Sequence, residues 1–260
     1  VNIDGILSIS KSGLNGMQQS LDSVSNNIAN VDTVGYKARD TSFRELLNDQ
    51  VTQNEVGISQ TAGQIGLDRG LEADQEAINA AQGALKKTAS PYDLAISGQG
   101  FFGVYDQNNQ LYLTRAGDFH RNADGELVNE AGYRVAVNET VPEQQWPKGD
   151  VKVAADGTTS IQTGAEARTV GKINLYQPQN MEDLRPVGDT LYQVAAGGGL
   201  ISNLNGGTLG SINQYALENS TVELAGSMTD MMVAQRTYSL NAKVLQSTDD
   251  MLGTVNRFSE

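Results

Sequence analysis

The chain has 260 residues, with 18 Lys and Arg against 31 Asp and Glu, a formal net charge of −13, one His and no Cys. Without cysteine there is no disulfide scaffold, thiolate metal site, thiol nucleophile or iron–sulfur cluster. The acidic balance excludes the clustered Lys and Arg with which proteins hold nucleic acid or an anionic membrane surface.

Hydrophobic residues make up 38%, while Asn and Gln together supply 41 positions and Gly another 28. Polar amides and glycine stand where core would be, so some segments need a partner to bury themselves. No run of 18 apolar residues is present, so no membrane insertion is expected. The first twenty residues lack the basic start and continuous apolar stretch of a cleaved leader, and any passage out of the cytoplasm is expected to proceed without one.

From Ile3 to Val31 the apolar residues fall on two seven-residue series: Leu7, Leu14, Leu21 and Ile28, and Ile3, Met17, Val24 and Val31, with Ser10 as the polar interruption. The series lie three and four residues apart, which predicts a helix with one apolar heptad stripe over residues 1–36. Residues 37–90 carry little pattern and read as an extended connector, with Phe43 to Leu47 continuing a helical turn. From Leu94 the period shortens to short strands separated by turn signals: 94–96, 101–105, 111–114, 119–122, 126–128, 133–137, 151–153, 159–162, 171–176 and 190–194. This predicts a β-rich domain over 91–200, followed by a Gly-rich return over 201–216.

The C-terminal stretch repeats the heptad device. Leu217, Leu224, Met231, Tyr238, Leu245 and Leu252 are spaced by sevens, flanked by Met228, Ala234, Ala242 and Val255 and interrupted by Gln235, Asn241, Thr248 and Asp249. A second helix over 217–260 is expected, with Asn219, Ser220 and Thr221 offering cap oxygens. The fold class is therefore α+β: two long terminal helices around a central β-rich domain. Two readings of the stripes stand side by side. The helices pair as a coiled coil within one chain, or they order fully when neighbouring subunits close around them.

Candidate chemistry is thin. Gly98-Gln99-Gly100-Phe101-Phe102-Gly103 matches G-x-G-x-x-G, but a dinucleotide site needs a helix opening on the last glycine, and the residues after Gly103 read as strand, turn and strand. His120 stands alone in a strand-like stretch. The pairs Glu182-Asp183 and Asp249-Asp250 are sequence neighbours whose side chains do not converge. No G-x-S-x-G or S-x-x-K is present. No catalytic, cofactor-binding or metal-ligating residue is assigned, and the chain is not read as an enzyme. Trp146, between Gln145 and Pro147, reads as a lid over the β core or a contact to a neighbour.

Asn26-Asn27-Ile28-Ala29-Asn30-Val31-Asp32-Thr33-Val34-Gly35-Tyr36-Lys37 resembles the N-terminal signature of bacterial flagellar basal-body rod and hook proteins. Asp93 to Ile96 with Gly98 to Phe102, Tyr112 to Phe119, Met232 to Tyr238, Asn241 to Lys243 and Thr248 to Leu252 agree with it. In length the chain is most similar to the distal rod members of that family. The resemblance implies a structural subunit of a rigid tubular drive shaft that transmits torque from motor to hook and surrounds the export channel. It implies terminal helices paired as an inner coiled-coil layer under a β-rich outer domain, and export through the flagellar type III apparatus. The implied partners are further copies in a homopolymer, proximal rod subunits, hook, and surrounding ring or bushing proteins, with no nucleic acid and no cofactor.

The stripe residues then become the expected assembly interface: Leu7, Leu14, Met17, Leu21, Val24 and Ile28 against Leu224, Met228, Met231, Tyr238, Leu245 and Leu252. Asn26, Asn27, Ala29, Asn30, Thr33, Gly35, Tyr36 and Lys37 are the expected signature. A proximal rod or short hook-type subunit is the alternative within the family. A filament-displayed adhesin or cell-wall-acting β domain, with its site in the loops around Trp146, is the alternative outside it.

Overall fold

The computed structural model describes residues 3–50, 66–73, 77–147, 149–164, 166–188, 190–203 and 209–258. The chain is α+β. A helix α1, Ile3–Ala29, opens it, a helix α2, Leu224–Phe258, closes it, and short strands recur through the sequence between them. Two compact units are present: Val1–Ile28, Arg39–Ala77 and Glu223–Glu260 form one, and Ala29–Ala38 with Ile78–Val222 form the other.

The second unit is the β body. Its main sheet runs in the order Leu184–Pro186, Leu191–Val194, Leu111–Thr114, Phe101–Tyr105, Arg134–Val135, Leu127–Val128 and His120–Arg121, with every pairing antiparallel. Leu175–Pro178 joins it against Phe101 and Phe102 and carries Leu200–Ser202 on its other edge. A second antiparallel sheet orders Val137–Glu139, Glu166–Ile173, Thr158–Thr163 and Asp150–Val153, with a register shift at Thr159 and Ser160 that bends the strand. Hairpin turns such as Asp124-Gly125 and Asp156-Gly157 supply the positive φ that these tight connections need.

Alternation along the strands sends Leu94, Ile96, Phe102, Val104, Phe119 and Ile173 into one buried cluster, with Phe102 and Phe119 edge to face at 5.2 Å. A second cluster gathers Trp146, Val151, Ile161 and Val170 over the four-stranded sheet. The Trp146 indole N–H donates to the Val141 carbonyl at 2.9 Å, and the Arg121 guanidinium lies 5.6 Å from its ring centre. Trp146 is thus a lid over the β core.

Three expectations are corrected. Phe43 to Leu47 is not helical: Phe43–Gln50 is a strand paired with Gly66–Ala73. A short apolar run does not choose between helix and strand by itself, and the partner that decides it lies more than a dozen residues away. The C-terminal helix starts at Leu224 rather than 217, because Ala216–Glu218 is a strand paired with Leu85–Lys87. Two of the hydroxyls expected to cap it are spent elsewhere: Thr221 Oγ1 accepts the Ala38 N–H, 183 residues away, at 2.8 Å and Ser220 Oγ accepts the Val222 N–H at 3.2 Å. The return over 201–216 contains the strand Ser211–Gln214, paired with Leu94–Ser97. Its Gly206-Gly207 lies outside the described residues.

Ile161 is fully buried beside Trp146, the only tryptophan. Ile161→Ala is expected to lower the stability of the β body by about 2–5 kcal/mol, measured as urea unfolding followed by tryptophan fluorescence.

Candidate assembly site

The signature segment is built around backbone groups. Near the end of α1 the Asn27 amide donates to the Arg39 carbonyl at 2.8 Å and accepts the Arg39 N–H at 2.9 Å, and Ser23 Oγ donates to the same carbonyl at 3.1 Å. One side chain therefore satisfies both backbone groups of Arg39, as a neighbouring strand would. Thr33 Oγ1 donates to Asn30 Oδ1 at 3.0 Å and the Thr33 N–H to the Asn30 carbonyl at 3.2 Å, closing the turn that ends the helix. Gly35 comes next at φ +67°, where a Cβ would stand 2.2 Å from the Ala116 nitrogen. Both the left-handed backbone and the missing side chain are required there. Asn26 and Ala29 are exposed.

Tyr36 and Lys37 are fully buried. Lys37 Nζ donates to Glu218 Oε1 at 2.6 Å and to the Ala81 carbonyl. From the other side Arg115 Nη1 donates to Glu218 Oε2 at 3.1 Å and Nη2 to the Gly98 carbonyl at 2.8 Å, while its guanidinium lies 5.2 Å from the centre of the Phe101 ring. The Gly83 N–H gives the Glu218 carboxylate a third donor, to Oε1 at 2.8 Å. Main-chain bonds complete the cluster: the Gly35 N–H reaches the Glu218 carbonyl at 2.7 Å and the Thr221 N–H reaches the Tyr36 carbonyl at 3.1 Å. Burial pushes the Lys37 ammonium and the Arg115 guanidinium below their ordinary pKa values, and the Glu218 carboxylate pulls both back. Held between a carboxylate and a carbonyl, Lys37 has a structural rather than a reactive placement.

The signature is legible in the sequence, but its two partners are not. Arg115 sits inside a recognised stretch, and nothing in its spacing marks it as ion-paired. Glu218 lies 181 positions from Lys37. The usable signal is chemical: a lysine in a segment that folds inward needs an acid, and only the fold identifies which one.

On α1, Val24 is buried and Leu7, Leu14, Met17, Leu21 and Ile28 are half-buried. On α2, Met231 and Leu245 are half-buried while Leu224, Met228 and Tyr238 are exposed; the Leu252 side chain lies outside the described residues. The buried positions of α2 are Ala234 and Thr248, and half-buried Asn241 stands midway between them, one heptad from each. The Asn241 amide nitrogen lies 2.8 Å from where a Cβ on Gly13 would be, so the two helices meet through a glycine and an amide. Thr248 Oγ1 donates back to the Val244 carbonyl at 2.8 Å, which leaves its methyl to pack. Two of the polar residues that break the apolar series, Asn241 and Thr248, thus face inward, while Gln235 and Asp249 are exposed.

The other candidates are spent on structure. Gly98 to Gly103 runs directly into the strand Phe101–Tyr105, and His120 is an exposed strand residue. Glu182-Asp183 lies in the short turn Met181–Asp183, and Asp249 and Asp250 are exposed on α2. Among the described residues no group of three His, Asp or Glu is placed to hold a metal ion. An apolar void of ≈ 10 Å³ beside Trp146, Leu127 and Ile173 has room for about one water.

One buried acid stands out. The Glu143 carboxyl is pushed up to about 7, chiefly because burial disfavours its charge, while the Leu127 N–H donating to Oε2 at 3.0 Å opposes the shift. Between its ordinary value of 4.5 and about 7 the folded body holds a proton that the unfolded chain has released, so stability falls as pH rises through that window. The expected loss is about 3 kcal/mol, and Glu143→Gln should flatten the profile when urea unfolding is repeated from pH 4 to pH 8.

Removing one member of the buried charge cluster leaves the others uncompensated. Lys37→Met is expected to cost about 3–5 kcal/mol in the same assay. Adding Glu218→Gln should cost less than the sum of the two single changes, because the pair acts as a unit.

Comparison with known proteins agrees with this architecture. Residues 7–37 match the family described as flagella basal body rod protein, residues 95–161 the flagellar hook protein FlgE/F/G D1 domain, and residues 213–258 the flagellar basal body rod FlgEFG protein C-terminal region. The chain is 32% identical to the flagellar basal-body rod protein FlgG of Agrobacterium fabrum, with 96% of this chain and 98% of that protein covered. It is 31% identical to FlgG of Bacillus subtilis, over 93% and 94%. It is 30% identical to the flagellar hook-basal body complex protein FlhP of the same organism, over 94% and 95%. The chain belongs to the bacterial flagellar basal-body rod and hook protein family, with its similarity to FlgG, the distal rod protein, running over nearly its whole length.

Proposed function

We propose that the chain is a structural subunit of the flagellar basal-body rod, in the distal position, polymerising into a rigid tube that carries torque from motor to hook and surrounds the export channel. The observation that carries this reading is on α2: in a member of a rod family, Leu224, Met228, Met232, Val233 and Leu240 are large apolar side chains left in water on one helix. A single chain gains nothing from such a surface, whereas an array of copies does. The work is mechanical, and no bond is made or broken.

In this reading α1 and α2 pair as a coiled coil, with Leu7, Leu14, Met17, Leu21, Val24 and Ile28 on one side and Leu224, Met228, Met231, Tyr238, Leu245 and Leu252 on the other. Further copies, proximal rod subunits, hook, ring or bushing proteins and the type III export apparatus are the partners, and the basal body is the location. The similarity to a hook-basal body complex protein supports a second reading, in which the chain occupies another axial position of the same structure.

Leu21→Asp or Leu245→Asp is expected to abolish assembly and swimming in a strain lacking its rod subunit, while the tryptophan signal of the β body stays native. Normal swimming with either variant would overturn the reading.

A further inference from the structure

Trp146 is delivered to its place by a short segment bracketed by two prolines, Pro142 and Pro147, with the single turn Glu143–Gln145 between them. The main-chain bonds of this turn are internal: the Gln145 N–H donates to the Pro142 carbonyl at 2.8 Å and the Trp146 N–H to the Glu143 carbonyl at 3.2 Å. The turn can therefore move as a unit without breaking a strand ladder. Side chains fasten it to the body. The Glu143 carboxyl accepts the Leu127 N–H at Oε2, and Arg121 Nη2 donates to the Glu143 carbonyl at 3.1 Å while its guanidinium lies over the Trp146 ring. The indole itself packs on Val151, Ile161 and Val170, with the apolar void on its Leu127 side left unfilled.

The seat suits the acid and not its anion. Glu143 is 4% exposed, and among the described residues no donor meets its Oε1, so a buried anion would have one N–H for two oxygens. The charged groups on the neighbouring strands do not make up the difference. Glu139, at the end of Val137–Glu139, and Glu126, just ahead of Leu127–Val128, repel the anion, while Arg134 on Arg134–Val135 attracts it. Arg134 is exposed and lies 4.0 Å from Glu126 Oε1. On His120–Arg121 the histidine is exposed and Arg121 donates to the Gly125 and Glu143 carbonyls rather than to the carboxylate.

We propose that Glu143 is a proton-operated latch for the Trp146 lid: with the proton on, the turn Glu143–Gln145 stays seated, and its loss draws the carboxylate out to water and lifts Trp146 from the four-stranded sheet. The device converts an acid-to-neutral change into exposure of an apolar slot between Leu127 and Val151. It lies within the β body of one chain, so its test is independent of the rod-subunit reading. The direction follows from proton linkage. The seated carboxyl keeps its proton up to about 7, whereas the lifted one releases it at the ordinary value of 4.5, so the lifted form gains as pH rises between the two and levels off above.

Trp146 is the only tryptophan, so its indole N–H, bonded to the Val141 carbonyl when the lid is seated, gives a single resonance. Hydrogen exchange of that proton in the full native chain, corrected for the pH dependence of free indole, reports the opening constant of the lid. It is expected to rise by about tenfold per pH unit from pH 5 to pH 7 and then flatten, with the Ile161 main-chain N–H roughly tenfold or more better protected throughout. Glu143→Gln should remove the pH dependence. Glu139→Gln keeps the latch and takes away a repelling charge, so it should move the midpoint to lower pH. A flat profile in the unaltered chain, a sloping one that survives in Glu143→Gln, or an unmoved midpoint in Glu139→Gln each overturns the latch. Equal opening constants for Trp146 and Ile161 overturn it as well, because the carboxyl would then act only through unfolding of the whole body.

Discussion

The β body and the signature are held to each other by one carboxylate. Glu218 accepts from an ammonium, a guanidinium and a main-chain N–H, and those donors belong to three stretches far apart in sequence: Lys37, Gly83 and Arg115. Two cations share one anion in a buried place, an arrangement that persists only because carbonyls of Ala81 and Gly98 and the Phe101 ring take up the remaining positive charge. Gly35 lets the backbone come close enough to reach it, and Thr221 ties off the strand that delivers Glu218. The segment after α1 and the segment before α2 are thereby bonded to each other.

Much of this is readable from the residues alone, and the parts that escape do so for a physical reason. The strands Phe101–Tyr105 and Leu111–Thr114 lie where alternation and the Asn108-Asn109 turn put them, because hairpins are local and their signals lie within a dozen residues. Phe43–Gln50 and Ala216–Glu218 escape a local reading because their partners are remote, and pairing rather than propensity makes them strands. The buried charge cluster falls in the same class. Lys37 stands out in its motif, while Glu218 and Arg115 are joined to it only in three dimensions.

The helices teach the complementary lesson. A heptad search scores large apolar residues, and on α2 it picks Leu224 and Tyr238 while treating Asn241 and Thr248 as defects. Where Gly13 meets Asn241, the missing side chain of the glycine makes room for the amide of the facing helix, and Thr248 bonds its hydroxyl back to its own helix. The bulky residues are left for surfaces where there is more room. Burial within the chain thus selects Ala234 and Thr248 on α2 while Leu224, Met228 and Leu240 stay exposed on the same helix.

The 181-residue separation between Lys37 and Glu218 also bears on the order of folding. Bringing two points so distant along a flexible chain together costs on the order of 4–5 kcal/mol in loop entropy, and long-range closures of this kind slow folding. Hairpins of the β body can form from residues already at hand. The signature lysine cannot be locked until its acid is present, so a chain emerging N-terminus first carries Lys37 unpaired with Glu218 until most of its length is available. Lateness is thereby written into the position of a single glutamate.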